Sequence, residues 1–420
     1  MQNLGRRQFL QHSALGVAGA AAAGTAMGAD PAPQPAGEGK TRPDVSTKVD
    51  VLVVGGGTAG TVAAIQAARV GAKTIIVERG AQLGGTMTTG GVAFPGLFDA
   101  WGKQIIAGIG WELVKESVEL DGGSFPDFSK VPQRHWHNQV RINKFLYAIL
   151  AEEKCEQAGV QLAYYEFPHA IAETAEGWQV DCVGFGTRRR VLCRQIIDCT
   201  GGAEVVRLLN LPRLREDEIQ PSSMLFQLGT ANSPARRGLQ HLYVHGADSS
   251  NSRTVTEANL TGRKNALEII RKEKKRLMHM QPEVSFRESY RIHGETVITV
   301  DDYRSGRVYE DAVCYAFYPV DLHTDTGVVP DYLDEGVVPT VPLSALVPKG
   351  SRDIVVAGRC VSSDRLANSG LRVQASCMAM GQAAGAAAAL AVAANTTPLE
   401  LPLPGLRDVL KENGAIVPAV

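Results

Sequence analysis

The sequence predicts an α/β chain in which a Rossmann-like domain with a parallel central sheet carries an inserted α+β domain. Three stretches predict it: Val51 to Glu78, Gln195 to Gly202, and Asp353 to Val392. Each contains a short apolar run that turns on glycine, which is how a strand buried on both faces of a parallel sheet reads. Between the second and third, from about Ala203 to Leu343, the runs are less apolar and polar loops interrupt them.

In the first stretch Val51-Leu52-Val53-Val54 turns through Gly55-Gly56-Gly57 into an Ala-rich helical segment, and Thr74 to Glu78 is the returning strand. Gly55 permits the tight turn, Gly57 lets backbone approach a pyrophosphate, and Gly60 lets helix and strand pack closely. The helix N-terminus, with Thr58 and Ala59, supplies unpaired N–H groups and a positive dipole end. Gly71 is placed to end the helix. Glu78 closes the second strand, where a carboxylate accepts the hydroxyls of an adenosine ribose. Arg79 to Gly91 follows, with the glycine pairs Gly84-Gly85 and Gly90-Gly91 bringing backbone N–H groups to a ligand.

Trp111 to Leu120 reads as an amphipathic helix and Asp121 to Pro132 as loop. His135-Trp136-His137 places two histidines on one strand face, either as a metal pair or as ordinary partly buried side chains. Arg141 to Gln157 reads as a helix ending at Gly159, and Val160 to Tyr164 as a strand. Trp178 to Val183 and Arg189 to Arg194 form a hairpin, and Gln195 to Asp198 runs into Thr200-Gly201-Gly202, back at the dinucleotide site. Asp353 to Gly358 is a further strand, leading through Asn368-Ser369-Gly370 into an apolar helix from about Leu371 to Val392. Buried nearly all round, that helix either points its positive end at whatever lies beyond the sheet's carboxyl ends or is purely structural.

The 420 residues are 44% hydrophobic and 21% charged, with a formal net charge of -1. That balance offers nucleic acid no field. Arg188-Arg189-Arg190 and Arg271 to Arg276 read as solvated faces. Gly5-Arg6-Arg7-Gln8-Phe9-Leu10 followed by the Ala/Gly run Ala14 to Ala26 resembles a twin-arginine signal with cleavage before Ala29. The run is short and Ala/Gly-rich for a stable membrane span, and a retained, uncleaved anchor is the alternative to cleavage. These features predict a protein delivered by the twin-arginine machinery to the periplasm or outside the cell. That machinery carries folded proteins, so the dinucleotide must be loaded first, which favours a tightly held flavin over a diffusing NAD. The seven cysteines form no Cys-x-x-Cys. Cys182 and Cys193 either face each other across the hairpin or stay as buried thiols.

Three motifs together resemble the FAD-dependent oxidoreductases of the glutathione-reductase-like flavoprotein superfamily, and more closely its bacterial single-chain FAD-dependent oxidoreductase group. They are Val51-to-Glu78 with Leu83-Gly84-Gly85-Thr86, Arg287-Glu288-Ser289 through Gly294, and Ala357-Gly358-Arg359-Cys360 through Cys377 to Gly385. The resemblance implies FAD, with Gly55, Gly57 and Gly60 at the pyrophosphate and Glu78 at the ribose. It places Gly84, Gly85 and Thr86 along the phosphate and ribityl chain, Thr200 and Gly201 at the adenosine half, and Gly358 and Arg359 at the flavin half. Many relatives carry an acid where this chain has Arg359, and Asp364 is the alternative for that contact.

The expected organisation is a signal peptide over 1–28, a disordered linker over 29–47, and an FAD-binding domain over 48–98, 140–206 and 344–396. A substrate or cap domain covers 99–139 and 207–343, and a tail 397–420. No second G-x-G-x-x-G follows a strand, so electrons are expected to pass directly between a small polar substrate and flavin N5. The other half-reaction then uses oxygen, a quinone or a redox protein. His323 is the first candidate for proton handling, with Tyr318 and His293 behind it. Arg287 and Arg291 either clamp a carboxylate, sharing a face if that stretch is helical, or form a structural ion pair between Arg287 and Glu288. Arg365 and Arg372 are candidates at the flavin edge. No metal site is expected. An oxidase and a binding module with structural FAD are the alternatives.

Overall fold

The computed structural model describes residues 43–132, 134–229 and 239–420. The expected signal and most of the linker lie outside the described residues. Val45–Lys48 (β1) stands where the linker was expected to run on to residue 47, and it is a strand. Val51–Val54 (β2), Thr58–Arg69 (α1) and Thr74–Glu78 (β3) form the expected βαβ unit. Gly71 follows α1 with φ of 103°. Ile109–Leu120 (α2) confirms the amphipathic helix, whereas His135–His137 is a 3-10 turn and not a strand. Lys144–Gln157 (α3) starts later than expected because the Asn143 side chain caps it, accepting from Phe145 N and Leu146 N.

Gln161–Tyr164 (β4) precedes a meander of Phe167–Thr174 (β5), Gly177–Gly184 (β6) and Thr187–Cys193 (β7), of which β5 had no expectation. Gln195–Asp198 (β8) returns to the centre. Ser222–Gly229 (β9), Leu239–Val244 (β10), Ser252–Glu273 (α4) and Arg276–Met280 (β11) build the middle of the chain. Ile354–Val356 (β12) leads to Arg365–Leu371 (α5) and Gln374–Ala394 (α6). The helix expected from about Leu371 to Val392 is α6, starting at Gln374, and the stretch leading into it is a helix of its own, so two helices stand here, parted by Arg372-Val373. Asp364 caps the first, accepting from Ala367 N.

The central sheet runs β12-β8-β2-β3-β4, parallel throughout. Its three central strands are apolar through their middles because both faces are covered, with polar residues such as Thr74, Glu78, Gln195 and Asp198 only at strand ends. Val51, Val53, Ile76, Ile197 and Val355 pack towards α1 and α6, while Leu52, Val54, Ile75, Val77, Ile196 and Ile354 pack on Val180, Cys182, Val191 and Cys193 of the second sheet. That second sheet runs β1-β7-β6-β5, with β1 parallel to β7. The arginine run that read as a solvated face is paired there, Arg189 with Glu166 and Arg190 with Asp181. Cys182 lies opposite Arg189 and Cys193 opposite Trp178, and both are free buried thiols.

The helix α6 presses on α1 backbone to backbone. A Cβ at Gly381 or Gly385 would stand 2.2 Å from the carbonyl oxygen of Ala59 or Ala63. Although α6 is long and apolar enough to cross a membrane, those faces are spent inside the protein. The third sheet, β10-β9-β11, is antiparallel. Met224, Phe226 and Leu228 pack beneath α4, which leaves Ser223, Leu225, His241 and Tyr243 on the other face. Residues 43–420 form one compact unit.

Candidate active site

A cavity of about 1010 Å³ runs past the carboxyl ends of the central strands, above the roughly 300–1,000 Å³ of ordinary small-molecule pockets. Gly55, Gly57, Thr58 and Ala59 line it at the end of β2, Glu78 and Arg79 after β3, and Gly85 and Thr86 in the loop beyond. Thr200 and Gly201 follow β8, and Gly358 and Arg359 follow β12. All three motifs thus open into one space. Gly60 and Gly84 do not line it. A Cβ at Gly60 would sit 1.9 Å from Gly55 O, and Gly84 N donates to Gly56 O at 2.8 Å, so both shape the cradle from behind.

The cradle suits a diphosphate. Gly55 holds φ of 97°, and a Cβ there would meet Cys199 O at 2.6 Å. Gly57 caps α1 without any side chain, and a Cβ on it would point into open space. The first-turn N–H groups therefore face the cavity uncapped. Glu78 accepts from Gly56 N and Gly80 N, each at 2.6 Å, which fixes its carboxylate beside the turn while burial pushes its pKa up. Asp198, which the sequence reading did not single out, is fully buried and accepts from Thr200 N, Thr200 Oγ1 and Val205 N at 3.0, 2.7 and 2.9 Å. It folds the Thr200-Gly201 turn.

Arg359 donates to Gly201 O and Phe286 O, both at 2.7 Å, tying two loops together across the cavity wall. Burial holds its pKa below the usual arginine value. Asp364 does not take over a ligand contact: its oxygens serve Ala367 N and Val300 N at 2.8 and 2.6 Å, and it does not line the cavity.

Arg287, Tyr318, Asp321, His323 and Arg372 line another part of the same wall, and Gln220 and Tyr243, which do not line it, hydrogen-bond to them. Arg287 donates to Pro221 O at 2.6 Å and Ser223 Oγ at 3.0 Å, and its guanidinium lies 5.3 Å from the Tyr243 ring centroid. Burial, with the like charge of Arg372, brings its pKa down to about 10, so it stays cationic at neutral pH. Arg372, in the break between α5 and α6, donates from Nη2 to Gln220 Oε1 and Asp321 O at 3.2 Å each, with the Asp321 carboxylate 3.8 Å away. Its buried Nε has no partner.

His323 stands between Tyr243 and Asp321, with Nδ1 2.5 Å from the Tyr243 hydroxyl and Nε2 3.0 Å from Asp321 Oδ2. Burial opposes the Asp321 charge, but the His323 hydrogen bond and the Arg372 and Arg287 charges outweigh it and hold the carboxyl below its usual range. Burial likewise dominates at His323, holding its pKa below the usual value despite Asp321. A carboxylate at Nε2 assigns the N–H there, so Nδ1 accepts the Tyr243 proton. Tyr318 accepts from Gln139 Nε2 at 2.8 Å, and burial pushes its phenol pKa up, so it keeps its proton.

Arg291 is a correction. Its stretch is extended, with Arg291–Ile292 pairing Arg213–Leu214, so it shares no helical face with Arg287. Buried away from the cavity, it binds Glu216 at 2.7 Å and donates to Ser363 O at 2.9 Å. Glu288 pairs with Arg365 at 3.0 Å and Arg291 at 3.5 Å, leaving Arg287 without the ion pair weighed for it. His293 does not line the cavity either. Gln220, Tyr243 and Asp321 were missed. Tyr243 and His323 are 80 residues apart, and no local spacing announces their contact.

A sequence profile of the family described as FAD dependent oxidoreductase matches residues 50–273 and 249–410. Among solved structures, the chain is similar to an anhydrotetracycline hydroxylase from Streptomyces rimosus, at 15% identity and TM-score 0.45, over 87% of this chain and 66% of that one. It is similar to a geranylgeranyl bacteriochlorophyll reductase-like protein from Thermoplasma acidophilum, at 13% identity and TM-score 0.45, over 87% and 84%. A flavoprotein/dehydrogenase from Cytophaga hutchinsonii gives 16% identity and TM-score 0.42, over 83% and 80%.

Proposed function

This chain belongs to the FAD dependent oxidoreductase family and is an FAD-dependent enzyme; from that premise we propose that it moves a hydride between a small polar organic substrate and flavin N5, without a nicotinamide domain of its own. One observation carries the proposal: the glycine cradle and the Arg287–Asp321–His323–Arg372 cluster line the same cavity. Gly55, Gly57, Thr58 and Ala59 would hold the diphosphate, Glu78 the ribose, and Gly358 with Arg359 the flavin half. When bound, the cofactor supplies a two-electron centre that exchanges hydride with carbon.

The chain's own residues bind the substrate and handle its proton. Arg287 and Arg372 orient it, and Tyr318 offers a phenol proton that burial keeps in place. His323, neutral at pH 7 and oriented by Asp321, takes a proton at Nδ1 by way of the Tyr243 hydroxyl. The kinship with the glutathione-reductase-like flavoproteins, delivery to the periplasm or medium by the twin-arginine machinery, and an oxygen, quinone or redox-protein acceptor belong to the same proposal. They rest on the motifs at Gly55 and Gly358 and on Arg6-Arg7.

Anaerobic mixing of the holo-protein, expressed in a twin-arginine-competent host, with a panel of hydroxy acids, amino acids, sugars and alcohols tests the proposal through bleaching of the flavin absorbance. A donor that bleaches it, with reoxidation by a quinone and no hydrogen peroxide, is the expected result. Peroxide release in air would make the protein an oxidase. Failure of every donor to bleach, with no acceptor consumed, would leave a binding module.

A further inference from the structure

The cluster beside the cradle carries an uncompensated positive charge. Arg287 spends its hydrogen bonds on Pro221 O and Ser223 Oγ, both neutral. Arg372 has the Asp321 carboxylate at 3.8 Å, but that carboxylate also serves His323, and the buried Arg372 Nε has no partner. The remaining neighbours add no negative charge. His323 and Tyr318 are neutral, and burial and Arg287 hold His241 neutral as well. Two guanidinium groups therefore share one carboxylate.

Two other arginines are neutralised by acids, unlike Arg359, whose partners are neutral. Arg291 is closed by Glu216 and Glu288, and Arg189 by Glu166 at 2.8 Å. A buried charge is costly unless paired, and two like charges raise that cost. The excess is also reinforced, because α6 begins directly after Arg372-Val373 with no side-chain cap. Such an arrangement is stable with an anion in it.

We propose that the substrate is an organic carboxylate, received through its carboxylate group by Arg372 and Arg287, with its reacting carbon on the side of Tyr318 and His323. A planar guanidinium matches a planar carboxylate with two parallel hydrogen bonds. Arg359, a further buried cation near Arg372, adds to the positive field but spends its hydrogen bonds on Gly201 O and Phe286 O. The inference rests on the hydride-transfer reading for the word substrate, and on geometry alone for the anion site.

The test is ligand binding to the holo-protein, read as perturbation of the flavin spectrum and as a rise in Tm, both independent of turnover. Benzoate and succinate are titrated against their neutral counterparts benzamide and succinamide, and against inorganic phosphate. The acids are expected to saturate, with the amides and phosphate at least about 10-fold weaker, because a hydrogen bond between two charged groups is stronger than one to a neutral amide. Arg372→Gln and Arg287→Gln should each weaken the acids about 10-fold or more, with Arg372→Lys intermediate. Amides binding as well as acids, phosphate binding better, or affinity unchanged in both glutamine variants would overturn the inference. If those variants lose their flavin, the comparison of acid with amide on the unmutated protein decides it. Acid binding with no donor ever bleaching the flavin would keep the anion site and remove the hydride-transfer reading. Oxidation of neutral alcohols without acid binding would do the reverse.

Discussion

The glycine cradle and the cluster around Arg287 and His323 share a wall but are made of different material. The cradle is backbone, with Gly55, Gly57, Thr200, Gly201 and Gly358 all at strand ends of one parallel sheet. The cluster is side chains, with Gln220, Tyr243, Arg287, Asp321, His323 and Arg372 coming from stretches far apart in the chain. Backbone recognition fails when a Cβ has nowhere to go. Side-chain recognition fails when a charge or a proton changes place. Substitutions should therefore separate cleanly into those that cost the fold or the cofactor and those that cost the chemistry alone.

The largest effect belongs to the backbone side. Gly381→Leu drives a Cβ into Ala59 O, 2.2 Å away, where two helices meet. Urea unfolding should show a loss of about 3 kcal/mol or more, with little flavin retained. Gly57→Ala is the sharper partner, because its Cβ meets nothing within 4 Å. Its unfolding midpoint as apo-protein should match the unsubstituted chain while FAD affinity falls about 10-fold or more, as a methyl group enters the diphosphate's path. Equal FAD affinity would break the assignment of that turn to the cofactor.

Next in size is the cluster. Asp321→Asn removes the charge that orients His323, and the rate of flavin reduction should fall about 100-fold with flavin content unchanged. The pH dependence gives the sign. His323 must be neutral to accept a proton, and burial holds its pKa below the usual value, so activity is lost as pH falls through that lowered pKa. Asp321 raises this pKa and Arg287 lowers it. The acid limb should therefore move to lower pH in Asp321→Asn and to higher pH in Arg287→Gln. The unfolded chain binds the His323 proton more tightly, so its contribution to stability declines as pH drops from the ordinary histidine value towards the lowered one. Shifts in the same direction in both variants would remove His323 from the proton path.

The contrast in material also sets what a sequence can show. The βαβ unit, Thr200-Gly201 and Gly358 are legible because a glycine turn between a strand and a helix is encoded within a dozen residues. The partners of Arg287 are Pro221 and Ser223, and a partner of His323 is Tyr243, all reached by side-chain hydrogen bonds between distant stretches that no local pattern specifies. The strand Val45–Lys48 was hidden for the same reason: it pairs with Arg189 to Leu192, and polar Ser46, Thr47 and Lys48 give no apolar run. Arg291 misled through spacing, since four residues apart means one face on a helix and nothing of the kind in an extended chain. The short helix α5 was missed because Asn368-Ser369-Gly370 reads as a connecting turn before the Ala-rich run. Its signal was Asp364, the cap of a short helix that must end before α6 begins.

The smallest effect concerns the cysteines, which run through both regions. Cys199 and Cys377 line the cavity, and Cys182 and Cys193 lie between the two large sheets. All seven are free and buried, and burial pushes the thiols of Cys182, Cys360 and Cys377 up to about 12. The thiolate is the form that is alkylated or oxidised, so these groups should be inert even in an oxidising compartment. Iodoacetamide should label no cysteine in the native holo-protein and all seven in urea, and dithiothreitol should leave Tm unchanged. Labelling of Cys377 alone after FAD is stripped would place that thiol against the bound cofactor. Labelling of Cys182 or Cys193 in the native protein would instead mean that the two sheets open, and with them the support beneath the cradle.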